Sequence, residues 1–327
     1  MNNKILSICI PTYNRGAYLK SNLLSIFKQV KNNQLVEIVV SDNHSTDNTF
    51  EIVKEFQNYN NFKYFRQSRN IGFAKNTLDV VSKANGKFCW IVGDDDFILD
   101  GAISEIIRLI EQNAYIDFYY VKVKPINLEY FNAKKGVFNN SVGFPLDVEV
   151  IDKWEELISP NYSSFFLGEL MASIFRKEIW DNYKIYPDEG HITNIENTYT
   201  HVVMYANTFF GKKAMYIKTP MILVLEGNRE WWDKIGYILV VFGYDLLEIF
   251  KEKGLRSKLL KECYIHYVKL TFLTVAKQTF FGSKSHKIPT KKYLLFLFKH
   301  PMVTCIAISV LIKNKIVSLF KRINASF

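Results

Sequence analysis

The sequence predicts an α/β fold in which a mostly parallel sheet is flanked by helices and followed by a helical C-terminal region. In the front half, short apolar runs typical of buried strands alternate four times with segments whose apolar residues recur at helical spacing. From about residue 231 onward the spacing is helical throughout. The 327 residues are 48% hydrophobic and 23% charged, which excludes wholesale disorder and suits one large domain or two modest ones.

Four apolar or β-branched runs predict the strands of this sheet: residues 5–10, 35–40, 62–65 and 87–92. The helices predicted to follow them cover residues 17–30, a segment ending near residue 56, residues 73–84 and residues 102–112. Asn48 and Glu51 have the spacing of a capping box at the start of the second helix. This order predicts parallel strands joined by crossover helices.

Polar clusters follow each predicted strand, at residues 12–15, 41–47, 66–72 and 93–96. Ligands of open α/β sheets bind beyond the carboxyl ends of the strands, so these clusters predict a binding site. After about residue 123 the alternation stops. Residues 124–160 are expected to be irregular or meander-like, residues 163–175 and 214–225 to be strands, and residues 195–205 to hold a helix.

Cysteine usage and charge narrow the class of protein further. The four cysteines lie far apart without a CxxC pair, which argues against a zinc site or disulfide scaffold and suits a reducing cytoplasm. The apolar run at residues 5–10 is too short for a secretory signal. Residues 249–327 hold 16 Lys and Arg against 2 Asp and Glu, whereas the rest of the chain is slightly acidic. Nucleic acid or an anionic membrane surface would suit such a basic tail.

Four motifs follow one another along the front of the chain: SICIPTYNR at residues 7–15, VEIVVSDNHSTD at 36–47, RNIG at 69–72 and WIVGDDD at 90–96. Together they resemble the family 2 glycosyltransferases of the GT-A (Rossmann-like) fold. The resemblance implies transfer of a sugar from a UDP-, GDP- or dTDP-linked donor with inversion at the anomeric carbon. It also implies a catalytic domain over residues 1–235, with a nucleotide-sugar half (1–112) and an acceptor half (113–235), before a basic helical region at 236–327.

The acidic triplet Asp94, Asp95 and Asp96 predicts a metal site. A diphosphate donor needs a divalent cation to neutralise its leaving group, and carboxylate oxygens are the ligands that Mg²⁺ or Mn²⁺ prefers. The alternative is a solvated turn that caps the helix at residues 102–112. The family commonly has Asp-x-Asp-Asp here, and Gly93 departs from that pattern. Which two carboxylates meet the metal and which one, such as Asp96, meets the sugar is left open.

The resemblance places the donor's contacts on residues at the strand ends. Asp42 accepts from a ring N–H of the base, and Pro11, Thr12 and Tyr13 frame the base. Arg15 and Arg69 are expected at the diphosphate, and Asn70 and Gly72 shape the adjoining loop. The alternative for residues 12–15 is a simple turn, whereas Asp47 and Asn48 are expected to be helix caps.

An inverting transfer needs a general base that takes the proton of the acceptor hydroxyl. His201 lies at about the position where relatives carry an acid, and a neutral imidazole suits the role. Asp188 and Glu189 are the alternative candidates for the general base. Trp231 or Trp232 is expected either to stack on the donor sugar or to anchor the following helix.

The sequence favours an enzyme that adds a sugar to a saccharide or lipid-linked acceptor in surface polysaccharide biosynthesis, such as O-antigen or capsule. No run of about 20 uninterrupted apolar residues exists, so the basic tail is expected to lie on the inner face of the cell membrane as a peripheral contact of a cytoplasmic protein. The alternative is that these helices pack with solvated lysines. Nucleic acid is not expected, because no known module is present. A nucleotidyltransferase or a non-catalytic sugar-nucleotide-binding protein stays the alternative function.

Overall fold

The structure is a computed structural model that describes residues 4–31, 33–138, 140–163, 166–190, 192–226, 234–281, 290–310 and 312. The chain forms two compact units, one of residues 1–157 and 167–229, the other of residues 158–166 and 230–327. The short segment 158–166 belongs with the C-terminal helices. There the Cys263 thiol lies 3.6 Å from the Ile158 carbonyl oxygen, and the Phe166 ring packs edge-on against His266.

The first unit begins with the predicted alternation, and its elements lie close to the expected positions. They are β1 (Leu6–Thr12), α1 (Gly16–Val30), β2 (Val36–Asp42), α2 (Thr49–Lys54), β3 (Phe62–Arg66), α3 (Phe73–Ser82) and β4 (Phe88–Ile91). The strands pair in the order β3-β2-β1-β4, and each pair is parallel. Every residue of β1 and β2 is buried, which explains why these strands have continuous apolar runs.

The remaining strands of this unit make the sheet mixed. The elements are β5 (Asp96–Ile98), α4 (Ala102–Gln112), β6 (Phe118–Asn127), α5 (Leu128–Ala133), β7 (Val148–Ile151), β8 (Ser173–Arg176), α6 (Lys177–Trp180), α7 (Ile195–Thr198), α8 (Thr200–Thr208) and β9 (Ala214–Glu226). The sheet continues from β4 as β8-β6-β9-β5, with β7 also paired to β9. Among these added pairs only β6 and β9 run parallel.

The predicted α/β fold with flanking helices is therefore confirmed, and its parallel part is the first four strands. Two local predictions were wrong. The strand expected over residues 163–175 is confined to β8, which starts at Ser173, and the region after residue 123 begins with regular structure because β6 continues to Asn127. Pairing with the 13-residue β9 stabilises this extension of β6, and propensity along β6 alone could not reveal it.

The start of α2 also differs from the expected capping box. Asn48 makes no side-chain capping bond. Instead the Asp47 carboxylate accepts from the Thr49 N–H at 3.1 Å and from the Gly16 N–H at 2.9 Å. One carboxylate thus serves the first turns of both α1 and α2, where a negative charge is favourable.

The second unit contains the helices α9 (Ile235–Glu252), α10 (Ser257–Phe281) and α11 (Thr290–Lys299). A further helical segment, Pro301–Val310, follows α11 at a bend of 104°. Among the described residues no single helix has the length and apolar character needed to cross a membrane, although the bent pair Tyr293–Lys299 and Pro301–Val310 passes that test by length and composition when taken together.

Close packing at Gly86 generates a test of the parallel sheet. A Cβ atom there would lie 2.5 Å from the Ser7 Oγ atom and 2.6 Å from the Ser7 backbone nitrogen. We expect Gly86→Ala to lower the free energy of unfolding by about 1–3 kcal/mol, the usual cost of overpacking. Urea denaturation measures the change. Gly143→Ala is the control, because its Cβ would meet nothing closer than 3.8 Å; an equal loss in both variants would contradict the prediction.

Candidate active site

Three adjacent strands end in register and bring their last polar residues together. In the parallel pairing Thr12 lies opposite Asp42, and Asp42 lies opposite Arg66. On the other side of β1, β4 ends at Ile91 and leads into the acidic triplet at residues 94–96. Polar groups from four successive strand ends therefore line one edge of the sheet, where α/β proteins bind ligands.

Asp42 is fully buried, and neighbouring groups bind both of its carboxylate oxygens. Oδ1 accepts from the Ser45 N–H at 2.8 Å. Oδ2 accepts from the Tyr64 hydroxyl at 2.6 Å and lies 3.5 Å from Nε of Arg66. Burial and this hydrogen bond to Asp42 raise the pKa of the Tyr64 hydroxyl. Asp42 thus needs these partners to remain buried as a charge.

Sequence reasoning missed Tyr64 as a part of this site, and it included Arg66 only as a member of the polar cluster at residues 66–72. A signal for Tyr64 was present, because residues two apart on a strand share one face of the sheet and Arg66 is the last residue of β3. What was absent from the sequence is the register that places this face beside Asp42.

The loops after β1 and β2 are bonded to each other. Asn14 has a left-handed backbone with φ of 53°, a conformation that Asn tolerates better than most residues. Its N–H donates to the Ser45 Oγ atom at 2.8 Å, and its side-chain oxygen accepts from the Thr46 N–H at 2.7 Å. Next to it, Tyr13 is 42% exposed, whereas Pro11 and Thr12 are buried. Tyr13 therefore offers an exposed aromatic ring at this edge.

The acidic triplet divides into two kinds of carboxylate. Asp94 and Asp95 surround the guanidinium of Arg15, whose Nε lies 2.8 Å from Oδ1 of Asp94 and whose Nη2 donates to Oδ2 of Asp95. The other Asp94 oxygen accepts from the Thr12 hydroxyl at 2.8 Å. Burial raises the pKa of the Asp94 carboxyl to about 7, the Arg15 charge opposes that rise, and the charge of Asp95 adds to it.

Asp96 differs from its neighbours because it is the first residue of β5. It is 2% exposed, and its Oδ2 atom accepts from the Gly93 N–H at 3.1 Å, which closes the turn. Within the described ranges, no group of three His, Cys, Asp or Glu side chains is arranged to hold a metal ion. The structure therefore does not bring Asp94, Asp95 and Asp96 together as three ligands, because Asp96 is turned into the backbone. Asp94 and Asp95 offer adjacent hard oxygen ligands of the kind that Mg²⁺ and Mn²⁺ prefer.

A second acidic pair lies on the loop before α7. Glu189 forms a bidentate pair with Arg69, with both N–O distances at 2.6 Å, and lies 3.4 Å from the Lys75 ammonium. Hydrogen bonding from Arg69 lowers the pKa of Glu189. Gly72 meets this loop closely: its φ is +85°, and a Cβ would lie 3.0 Å from the Glu189 carbonyl oxygen. The Asn70 side-chain oxygen accepts from Asn43 at 2.8 Å and from the Gly72 N–H at 2.9 Å.

Asp188 holds its own loop together. Its carboxylate accepts from the Asn197 amide and from the Gly190 N–H, and these bonds lower the pKa of Asp188. Sequence reasoning missed the next acid, Glu196, in the first turn of α7. Asn194, which caps α7 through the Asn197 N–H, was its signal. In the part of the chain that the structure describes, no side chain bonds or pairs with the Glu196 carboxylate.

His201, the predicted general base, is buried in α8. It is 4% exposed, and both ring nitrogens are buried among the described residues without a hydrogen bond of normal geometry. Burial lowers the pKa of His201 to about 4, although the backbone of Leu167 and Gly168 partly opposes this. This burial does not favour the predicted role of His201 as the general base, because every residue from Thr200 to Ala206 of α8 is buried. Trp231 and Trp232, the predicted sugar contacts, lie outside the described residues.

The fold and this strand-end site define a glycosyltransferase, and comparison with known sequences identifies its family. The family model described as glycosyl transferase family 2 matches residues 7–169. The chain is 32% identical over 248 residues to the abequosyltransferase RfbV of Salmonella typhimurium, covering 71% of this chain and 69% of that protein. The chain belongs to glycosyl transferase family 2.

The chain is also similar to two further proteins that are described as glycosyltransferases. A GalNAc(5)-diNAcBac-PP-undecaprenol beta-1,3-glucosyltransferase of Campylobacter jejuni is 29% identical over 54% of this chain and 53% of its own length. The poly(ribitol-phosphate) beta-N-acetylglucosaminyltransferase TarS of Staphylococcus aureus is 32% identical over 37% of this chain but only 21% of its own length. The chain therefore spans about half of the first protein and a fifth of the second.

Solved structures support the fold. The crystal structure of S. aureus TarS 1-349 in complex with UDP-GlcNAc superimposes with a TM-score of 0.61 and 19% identity, covering 92% of this chain and 81% of that one. Another crystal structure of the same fragment superimposes with a TM-score of 0.61 and 18% sequence identity. At this identity the likeness concerns the fold alone, and it confirms the expected GT-A architecture.

The burial of His201 generates a prediction about stability. Because its folded pKa of about 4 is below the ordinary value of 6.5, the unfolded chain takes up a proton first as the pH falls. The stability contributed by the neutral ring is present above pH 6.5 and lost as the pH falls toward 4. We expect this loss to be about 3 kcal/mol.

The measurement is urea unfolding of the wild type and of His201→Gln across this pH range. The variant has no titratable ring, so the stability difference between the two proteins should shift by about 3 kcal/mol in favour of the variant as the pH is lowered. Parallel stability curves would contradict the prediction.

Proposed function

We propose that the protein is an inverting glycosyltransferase that moves a sugar from a nucleoside-diphosphate donor to a saccharide or lipid-linked acceptor in surface polysaccharide biosynthesis, such as O-antigen or capsule. The observation that carries this proposal is the alignment of Thr12, Asp42, Arg66 and Asp94 along one edge of the sheet. The names of the relatives support it: one is an abequosyltransferase, and another acts on an undecaprenol-linked saccharide. A UDP-GlcNAc complex of TarS supports a nucleotide-sugar donor.

The base of the donor would lie beside Asp42, framed by Pro11, Thr12 and the exposed ring of Tyr13. Asp42 has no exposed surface, and the Tyr64 hydroxyl binds its Oδ2 atom. A direct bond from a base N–H to this oxygen therefore requires that Tyr64 moves away. Asn70 and Gly72 shape the neighbouring loop, and their contacts with Asn43 and Glu189 fix its position.

Asp94 and Asp95 would hold a divalent cation, Mg²⁺ or Mn²⁺. When bound, that cation neutralises negative charge on the departing nucleoside diphosphate. The residues fit this task because two carboxylates lie side by side and already share one positive group, Arg15. Asp96 would act by fixing the turn that presents them. Arg15 and Arg69 would contact the diphosphate, for which Arg69 must leave Glu189.

Glu196 is our candidate for the general base. Asp188 and Glu189, the acids predicted from the sequence, are both engaged: Asp188 organises its loop and Glu189 pairs with Arg69 and Lys75. Glu196 lies in the first turn of α7, which the Asn197–Asp188 bond ties to the same loop. Its carboxylate has no partner within the described residues, so an acceptor hydroxyl would not compete with an ion pair.

Donor binding supplies the first functional test. UDP-, GDP- and dTDP-sugars are screened with Mn²⁺ for a rise in the unfolding temperature, because a ligand that binds only the folded state stabilises it. We expect at least one donor to protect the wild type. Asp42→Asn should weaken that donor by roughly 10–100-fold, since a charged hydrogen bond is lost.

Tyr64→Phe is the matched variant, because it removes only the hydroxyl that covers Asp42. Its affinity for the donor should be equal to or higher than that of the wild type. A loss in Tyr64→Phe as large as that in Asp42→Asn would show that Asp42 acts only by holding the tyrosine. Protection without any sugar transfer would favour a non-catalytic sugar-nucleotide-binding protein.

Glu196→Gln tests the base. We expect kcat to fall by roughly 10²–10⁴-fold, the usual contribution of general-base catalysis, while donor affinity stays unchanged. Release of nucleoside diphosphate in the presence of acceptor measures the rate. Glu178→Gln is the control, because Glu178 also lies in the first turn of a four-residue helix. If Glu196→Gln retains full kcat and Asp188→Asn or Glu189→Gln loses it, the base is one of those acids.

We further propose that the second unit binds the inner face of the cell membrane. On α11, Leu294, Leu295 and Phe298 are 45%, 55% and 80% exposed, while Tyr293 and Phe296 on the same helix are buried. Exposed lysines Lys291 and Lys299 flank these apolar residues. An exposed apolar face beside positive charges suits insertion into an anionic headgroup layer, and the strongly basic composition of residues 249–327 supports it.

Vesicle sedimentation tests this membrane proposal. The protein should bind vesicles that contain one part phosphatidylglycerol to two parts phosphatidylcholine, and it should bind less in high salt. Phe298→Ser should weaken binding by about tenfold, because burial of a Phe side chain contributes about 1.5–3 kcal/mol. Val137→Ser, at an exposed apolar position of the first unit, is the control. If Phe298→Ser instead changes the oligomeric state and leaves vesicle binding intact, the face is an interface between copies of the chain.

A further inference from the structure

We infer that Arg15 occupies the place of a divalent cation until the donor binds, and that the two exchange places. The inference rests on the proposed function, because it concerns the cation site of the donor. It adds a role for Arg15: this residue makes cation binding and nucleotide binding depend on one another.

The argument begins with the oxygens that Arg15 covers. Nε of Arg15 lies 2.8 Å from Oδ1 of Asp94, and Nη2 donates to Oδ2 of Asp95. The remaining oxygen of Asp94 is bound to the Thr12 hydroxyl. Asp94 and Asp95 are the residues that would hold a cation, and the guanidinium already contacts one carboxylate oxygen of each.

A cation and Arg15 cannot bind this pair at the same time. Mg²⁺ or Mn²⁺ binds carboxylate oxygens at about 2.0–2.2 Å, which would bring two positive groups into contact. At a partly buried site the repulsion between these two positive groups is only weakly screened by water. Without either group, Asp94 would take up a proton, because a buried carboxylate without a counter-ion is strongly unfavourable. The ionised form of Asp94 therefore needs one positive group, and only one fits.

Hydrogen bonds hold the backbone of Arg15 in place, whereas its side chain has room to turn. Its carbonyl oxygen accepts from the Leu19 N–H at 3.0 Å, and the next residue, Gly16, donates to Asp47. The side chain is 22% exposed, and its guanidinium lies 5.0 Å from the centre of the Tyr18 ring. Tyr18 in turn packs against Phe131. The ring offers a favourable surface along which a cationic side chain can turn.

The donor supplies the reason for the exchange. A guanidinium released from the carboxylates is well suited to a diphosphate, because its planar donors match phosphate oxygens. When a donor binds together with a cation, the cation would bind the carboxylates of Asp94 and Asp95, and Arg15 would bind the diphosphate instead. Binding of the cation and of the nucleotide should be positively coupled, and by thermodynamic reciprocity each should strengthen the other by the same factor.

The test measures Mn²⁺ binding directly, by the electron paramagnetic resonance signal of free Mn²⁺, without any turnover. In the absence of nucleotide, Arg15→Ala should bind Mn²⁺ at least about tenfold more tightly than the wild type, because the competitor is gone. With UDP, GDP or dTDP added, the wild type should gain affinity for Mn²⁺ and Arg15→Ala should gain much less. Arg108→Ala removes an exposed arginine that is paired with Glu105, and it should behave as the wild type.

Two further variants keep the outcomes distinct. Arg15→Lys retains a positive charge but not the planar guanidinium that can contact two carboxylates, so its Mn²⁺ affinity should lie between those of the wild type and Arg15→Ala. It replaces Arg15→Ala in the test if that variant does not fold. Asp95→Asn should remove Mn²⁺ binding. Unchanged or weaker Mn²⁺ binding in both Arg15 variants, with the Asp95 effect intact, would overturn the exchange but keep the cation site. No Mn²⁺ binding by any protein, with or without nucleotide, would overturn the proposed cation site and the exchange together.

Discussion

The need to neutralise carboxylates buried at the ends of buried strands governs the organisation of this site. Asp42 and Asp94 have 0% and 6% of their surface exposed, and a buried carboxylate without partners is costly. Their partners come from other segments: Tyr64 and Ser45 for Asp42, and Thr12 and Arg15 for Asp94. Because each partner lies on a different loop or strand, satisfying the two charges also fixes the loops of the sheet edge relative to one another.

The same physical requirement explains why the two acids on the loop before α7 are bound to neighbouring groups. Asp188 and Glu189 look from the sequence like rival bases, yet both are engaged in the structure. Asp188 holds the loop before α7 through Asn197 and Gly190, and Glu189 joins that loop to Arg69 in the loop after β3. Acids that form such bonds are stabilised in the ionised form and are correspondingly weak bases. In the structure they place the loop before α7 beside the loop that follows β3.

Local patterns in the sequence were sufficient to predict much of the fold. The strands β1 to β4, the helices between them and the polar clusters at their ends follow from apolar periodicity and from residues that stop strands. The partners of charged groups did not follow, because Arg69 and Glu189 are 120 residues apart and meet only through tertiary packing. His201 shows the same limit. Its polarity suggested a reactive group, but burial is decided by what surrounds α8, and that helix is enclosed from Thr200 to Ala206.

The distribution of cysteines has a consequence for the chemistry of the intact chain. Cys9, Cys89 and Cys263 are buried, which keeps reagents away from all three thiols. Burial also raises the pKa of the Cys9 and Cys263 thiols, so thiolate, the reactive form, is scarce at these two. Cys305 alone is exposed, and it lies in the helical segment that follows α11. An alkylating dye added to the native protein would therefore label the second unit at one position without any engineered residue. Its fluorescence would report the polarity around that helix, and labelling at any other cysteine would report local opening of the sheet or of the helical core.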